Sequence, residues 1–193
     1  MKKRKSERTK DKIIRTFYQL NMETSRPLST VSQICDELEI AVSTFYCHFC
    51  GINDLIEQES AKLIEFWDTF LDDYMRQADM ATPATILPRE TVAYIIQGYM
   101  NRKAEHLVLM RPGLNLPVRQ YLYNTIRAAT TIHMKFFPEI EREYAITFLA
   151  EGSAPAIFSY LSKEDMSVEA FTDLMFHMGN AVIREAGKFR RSQ

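Results

Sequence analysis

The sequence predicts an all-α protein of about nine helices, with three short helices at the N-terminus joined to a larger helical body. Three observations carry that expectation. Apolar residues recur at helical spacing over nearly the whole chain. No stretch of useful length alternates apolar and polar residues as a half-buried strand would. The six glycines are scattered, and apart from Pro155 the prolines fall at or between the ends of the periodic segments. At 193 residues with 46% hydrophobic side chains, the chain can bury a core, and its composition is that of a folded protein.

The elements follow in order. A first helix is expected over 9–22, with Ile13, Ile14, Phe17 and Leu20 as its buried stripe. Arg26-Pro27 closes it, because the residue before a proline is pushed out of the α region. A short second helix spans 30–38: Val31, Ile34, Cys35 and Leu38 recur at i, i+3, i+4, i+7, and Thr30 stands at capping-box spacing from Gln33. Glu39-Ile40-Ala41 forms a tight connection to a third short helix over 43–49. After Gly51, a long helix over 52–76 carries Leu55, Ile56, Leu63, Phe66, Trp67, Phe70 and Tyr74 on one face. Residues 81–88, with two prolines and two threonines, read as a loop. Helices are then expected over 90–103, 106–110, 117–137, 139–161 and 168–186, divided by Pro112-Gly113, Pro138 and the polar run 162–165. Pro155 is expected to kink the fourth of these.

Charge is unevenly placed. The net charge is −1, yet residues 1–15 hold eight cationic side chains, among them Lys3, Arg4 and Lys5, against Glu7 and Asp11. A basic arm on a neutral-to-acidic body points to a polyanion partner at the N-terminus alone. The lysine-rich start is not followed by the apolar stretch of a signal peptide, and no run is long enough to span a bilayer. Three cysteines form no disulfide framework and suit a reducing compartment. The expected setting is cytoplasmic, with no membrane partner.

Three short helices behind a basic arm, the last two joined by a tight turn, have the layout of a helix-turn-helix that reads double-stranded DNA. The third helix presents short hydroxyls, a tyrosine and a histidine, groups suited to phosphate oxygens. Phe45 and Phe49 on its other face lock it against the first two helices.

Residues 9–55 resemble the DNA-binding domain of the TetR family of transcription regulators. The resemblance rests on Thr30-Val31-x-x-Ile34-Cys35, on Ser43-Thr44-Phe45-Tyr46-x-His48-Phe49 and on Asp54-Leu55. Tyr144-Ala145-Ile146-x-Phe148-x-x-Glu151-Gly152, followed by Ile157-Phe158-x-Tyr160-Leu161, is similar to the family's next-to-last helix. The resemblance implies a DNA-binding domain over 1–55 and an effector-binding and dimerisation domain over 56–190. It implies a homodimer built by the last two helices, a small-molecule effector, and a repressor more often than an activator. It also implies that Thr30 touches phosphate at the start of the second helix. Ser43, Thr44, Tyr46 and His48 would face DNA, Tyr46 and His48 as phosphate contacts, with Val42, Ser43 and Thr44 in reach of base edges.

The chain departs from that pattern at three places. Glu39 stands where the family usually has glycine, Ala41 where it has a polar helix cap, and Ile52 where it has a lysine. The basic arm, with Lys3, Arg4 and Lys5, is expected to compensate along the minor groove or the backbone. The same departures support an alternative: a degenerate dimer of this fold with weak or no DNA binding that acts through protein contacts. Cys47-His48-Phe49-Cys50 supports another, a thiol switch, or a metal sensor with Cys35 and His48.

The body is rich in aromatic residues and methionines. Each reads singly as core packing, and together Trp67, Phe70, Tyr74, Tyr94, Tyr99, Tyr121 and Met134 are the candidate lining of an apolar effector cavity. The small residues Ala150, Gly152, Ser153, Ala154 and Ala156, beside an apolar last helix (Phe171, Leu174, Met175, Met178, Val182), are the candidate dimer seam. There is no phosphate-cradling glycine loop, paired-histidine metal helix or nucleophile elbow, so the expectation is a non-enzyme without a cofactor.

Overall fold

The computed structural model describes residues 2–23, 25–77, 88–111, 117–133 and 139–189. Over these residues the chain forms nine helices and no strand: α1 (Lys2–Asn21), α2 (Val31–Glu37), α3 (Val42–Tyr46), α4 (Ile52–Gln77), α5 (Arg89–Asn101), α6 (Lys103–Leu109), α7 (Pro117–His133), α8 (Glu139–Lys163) and α9 (Val168–Phe189). Their order and the breaks between them follow the periodicity of the sequence. The exception is the start of α1, at Lys2 rather than Thr9. The basic run is therefore the beginning of a helix and not an arm ahead of one. Its lysines and arginines carry unbranched side chains that lose little freedom in a helix, and residues 2–20 contain neither glycine nor proline.

α1 ends in a polar tie. The Asn21 side chain donates to the Phe17 carbonyl (2.6 Å) and to Ser29 Oγ (2.7 Å), and its Oδ1 accepts the Ser29 amide (2.8 Å). Asn21 continues the inward row of Ile13 and Phe17 at four-residue spacing. That row explains why Asn21 is buried while Leu20, expected on the stripe, is exposed.

One apolar core runs through the molecule. It includes Ile13 and Phe17 of α1, Ile34 and Cys35 of α2, Phe45 and Phe49, and then Leu55, Ile56, Leu63 and Trp67 along α4. It continues through α5, α6 and α7 to Ile157, Tyr160 and Phe171. α4 passes unbroken through residue 55, where the resemblance implied a boundary between 1–55 and 56–190. Its early turns hold α1, through Lys10 Nζ to Gln58 Oε1 (2.7 Å) and Tyr18 Oη to Glu59 Oε2 (3.2 Å). Its later turns hold the body: Tyr94 Oη donates to the Phe70 carbonyl (2.8 Å) and Tyr121 Oη to Asp68 Oδ1 (2.6 Å).

A second tie joins the body to the loop between α1 and α2. Arg111, just after α6, is buried. Its Nη1 donates to the Arg26 carbonyl (3.0 Å), and its Nη2 to the carbonyls of Asn21 (2.9 Å) and Glu23 (2.6 Å). α8 continues through Pro155, and α8 packs on α7 and α9. Tyr144 and Phe148 of α8, and Leu174 and Met178 of α9, each pair at four-residue spacing and all stand exposed, Tyr144 at 74% and Phe148 at 66%.

Candidate nucleic-acid interface and body cavity

The segment from α2 to α3 is held by local hydrogen bonds that the sequence announces. Thr30 caps α2 reciprocally with Gln33: the Gln33 amide donates to Thr30 Oγ1 (3.3 Å), and the Thr30 amide to Gln33 Oε1 (2.9 Å). At the other end, the Ile40 amide reaches the Cys35 carbonyl (3.0 Å) and the Glu39 amide the Asp36 carbonyl (3.2 Å). These are the two bonds of a Schellman stop, which places its central residue in the left-handed region. Glu39 occupies that place with φ 53°. A side chain there costs about 1–2 kcal/mol relative to the right-handed conformation, and glycine would be free of it.

α3 is five residues long and starts without a side-chain cap at Ala41. Phe45 and Phe49 are fully buried, their rings 5.6 Å apart, and they fix the orientation of the helix. The opposite face is open: Val42, Ser43, Tyr46 and Cys47 are exposed, and Thr44 and His48 are half-buried. Thr30 is exposed on the same motif. The structure thus brings Val42, Ser43, Thr44, Tyr46 and His48 together on one short helix and the turn that follows it. Lys10 Nζ lies 5.1 Å from the centre of the Phe49 ring. Asp54, in the first turn of α4, accepts the Cys50 amide (2.7 Å). That amide, then Gln58, holds the Asp54 carboxyl below the usual carboxylate range.

The backbone of Lys3, Arg4 and Lys5 is helical, and their side chains lie outside the described residues. The minor-groove arm is accordingly corrected to the first turns of α1. Ile52 is half-buried against the core. Cys47 and Cys50 are exposed free thiols and Cys35 is buried. Among the described residues no group of three or more His, Cys, Asp or Glu side chains is arranged to hold a metal ion.

In the body, the aromatic set and the cavity do not coincide. Trp67 and Tyr99 are fully buried, with ring centres 5.0 Å apart. Phe70 stacks on Tyr94 at 4.1 Å, and Tyr74 lies 4.9 Å from Tyr94 and hydrogen-bonds Thr91. Gly98 lets α5 approach: a Cβ there would meet Trp67 and Phe70 at 2.7 Å. Tyr121 hydrogen-bonds Asp68; burial first, then that carboxylate, pushes its hydroxyl up to about 12. Met134 lies outside the described residues.

His106 joins the aromatic group and was not singled out by spacing. Its Nε2 accepts Trp67 Nε1–H (2.9 Å), and its Nδ1 donates to the Arg102 carbonyl (2.7 Å). Both nitrogens are satisfied by the neutral ring, and burial pushes the imidazole down to about 4.

Among the described residues an apolar cavity lies between α5, α7, α8 and α9. Gly152, Ser153 and Ala156, expected in a dimer seam, line it. The small-residue run was the sequence signal for this space. The expected aromatic lining and this cavity are formed by different residues.

No protein-family model matches the chain, and no curated protein matches it in sequence. Solved structures share its fold. The fatty acid degradation regulator FadR from Bacillus halodurans aligns with TM-score 0.61 at 15% identity, over 88% of this chain and 93% of that one. The dihydroxyacetone kinase operon activator DhaS aligns with TM-score 0.51 at 12% identity, over 91% and 96%. At these identities the likeness establishes the all-helical fold. Among the described residues, no helix is long and apolar enough to cross a membrane.

Proposed function

We propose that this protein is a DNA-binding transcription regulator of the TetR type, a dimer whose grip on DNA is set by a small-molecule effector. The observation that carries the reading is the division of α3 and its following turn. Phe45 and Phe49 are sealed in the core, so Val42, Ser43, Thr44, Tyr46 and His48 face outward on a rigid support. Tyr46 and His48 bind phosphate in this reading, Thr30 binds phosphate from the start of α2, and Val42, Ser43 and Thr44 meet base edges. Lys3, Arg4 and Lys5 extend the positive charge along α1. The FadR and DhaS likeness supports the assignment at the level of fold.

The exposed ridges Tyr144–Phe148 and Leu174–Met178 support a homodimer through α8 and α9, since apolar side chains clustered on one face mark an interaction surface. A two-fold dimer sets its two reading helices about 34–36 Å apart, one turn of DNA. Repression is the sign we propose, an effector lowering affinity by favouring a spacing that does not match the duplex.

Fluorescence anisotropy tests this, with a duplex from the promoter adjoining the gene, a scrambled duplex and a salt series. Preferential binding of the promoter duplex is expected, falling with salt at a log–log slope of about −0.9 per phosphate contact. Tyr46→Phe and His48→Ala should each weaken promoter binding. Equal binding to both duplexes, or none at low salt, would overturn the reading. Glu39, Ala41 and Ile52 favour the second reading, a dimer of this fold acting through protein contacts. Under it the parent binds no duplex and Glu39→Gly with Ile52→Lys gains binding. The exposed Cys47 and Cys50 allow a thiol switch, which alkylation without effect on DNA binding would eliminate.

A further inference from the structure

The cavity between α5, α7, α8 and α9 has a volume of about 230 Å³. Among the described residues its lining includes no aspartate, glutamate, lysine, arginine or histidine. The polar side chains on its wall are the hydroxyls of Thr91, Thr125 and Ser153. Two of these are already engaged, Thr91 with Tyr74 and Thr125 with Tyr121. Ser153 Oγ is buried and has no hydrogen-bond partner. Buried hydroxyls without a partner are uncommon in folded proteins and point to an absent ligand or water.

The space is built by small residues. A Cβ placed on Gly152 or on Gly179 would meet no atom within 4 Å. Close-packed interiors rarely leave voids larger than a water. An enclosed apolar cavity of about 150 Å³ is known to stay dry and to take benzene; this one is larger and opens to the surface. Phe148 and Met178 line it and are also exposed, so it opens on the face of α8 and α9 that the proposed homodimer covers, and in that dimer the partner closes its mouth.

We propose that this cavity binds an uncharged, largely apolar small molecule bearing one hydrogen-bonding group, which meets Ser153 Oγ. A charged group would lose its hydration here with no counter-ion among the described lining residues to replace it. At about 30 Å³ per water-sized group, the volume admits on the order of eight heavy atoms. The proposal rests on the effector reading above and gives that effector a site and a chemical class.

Calorimetric titration of the full chain, without DNA, tests it with three probes of one chain length: 1-octanol, octanoate and octylammonium. Saturable binding of 1-octanol is expected, with both charged probes at least ten-fold weaker. Gly179→Leu and Ala156→Phe, each filling the cavity, should weaken 1-octanol at least ten-fold while keeping a cooperative thermal melt. Ser153→Ala, which leaves the volume intact, should weaken 1-octanol but not octane vapour uptake. No saturable 1-octanol binding up to its solubility overturns the proposal. So does octanoate binding as tightly as 1-octanol, or a folded, cavity-filled variant binding like the parent. The two readings fail separately: a chain that binds its promoter but not 1-octanol loses the cavity. One that binds 1-octanol but no duplex loses the regulator.

Discussion

Arg111→Met tests how firmly the Arg111 guanidinium ties the body to the end of α1 and the segment after it. Arg111 donates three hydrogen bonds to carbonyls at the end of α1 and in the segment after it, and no carboxylate lies among those partners. Hydrogen bonds from a charged donor contribute about 1.5–3 kcal/mol each. Two of the three carbonyls belong to the exposed residues Glu23 and Arg26 and can take water instead. The Asn21 carbonyl is buried with its residue and is left unpaired. Against this, methionine removes the penalty of burying a cation, several kcal/mol in a protein interior. The balance is a net loss of about 2 kcal/mol, or about 4–8 °C in Tm for a chain of this size. Arg111→Lys should lose more, since it keeps a buried charge but has no planar fork to span three carbonyls. Urea unfolding of parent and both variants measures this through the midpoints at constant slope. If the methionine variant unfolds within about 0.5 kcal/mol of the parent, or the lysine variant proves the more stable of the two, the latch as argued is wrong.

Three further outcomes are expected. Glu39→Gly relieves the left-handed side chain of the Schellman stop and should stabilise the fold by about 1 kcal/mol; it also removes an anion beside α3, so under the proposed function promoter affinity should rise in the anisotropy assay. A methyl group at Gly98 has no room beside Trp67 and Phe70, so Gly98→Ala should destabilise by about 1–3 kcal/mol through overpacking, visible as a lower urea midpoint. His106 is neutral when folded, down to about 4, whereas the unfolded imidazole titrates near 6.5. The unfolded chain therefore binds more protons between those values, and stability present above pH 6.5 is lost as the pH falls towards 4, by about 3 kcal/mol for this group. His106→Gln should flatten that part of the profile, and a parent and variant with parallel profiles would show that His106 carries none of it.

Local chemistry was legible in the residues themselves. The Thr30–Gln33 capping box, the glycine-like position at Glu39, the uncapped Ala41, and Phe45 and Phe49 behind Tyr46 and His48 all depend on neighbours within a few positions. Short-range hydrogen bonding and helical period decide them, and both can be read along the chain. The start of α1 was misjudged because a dense positive run looks like a solvated arm, although its unbranched side chains suit a helix equally well.

What remained hidden depends on partners far apart in sequence. Arg111 finds its carbonyls at Asn21, Glu23 and Arg26, and Trp67 finds the neutral ring of His106, pairings that helical period does not record. Aromatic content announced a packed body but not where it stays open. That was decided by how four helices meet: bulky rings closed the contact of α4 with α5 and α6, and glycine, serine and alanine on α8 left room between α5, α7 and α9. Helix and turn are set by steric limits on adjacent residues, whereas a cavity is a difference between volumes brought together only when the chain has folded.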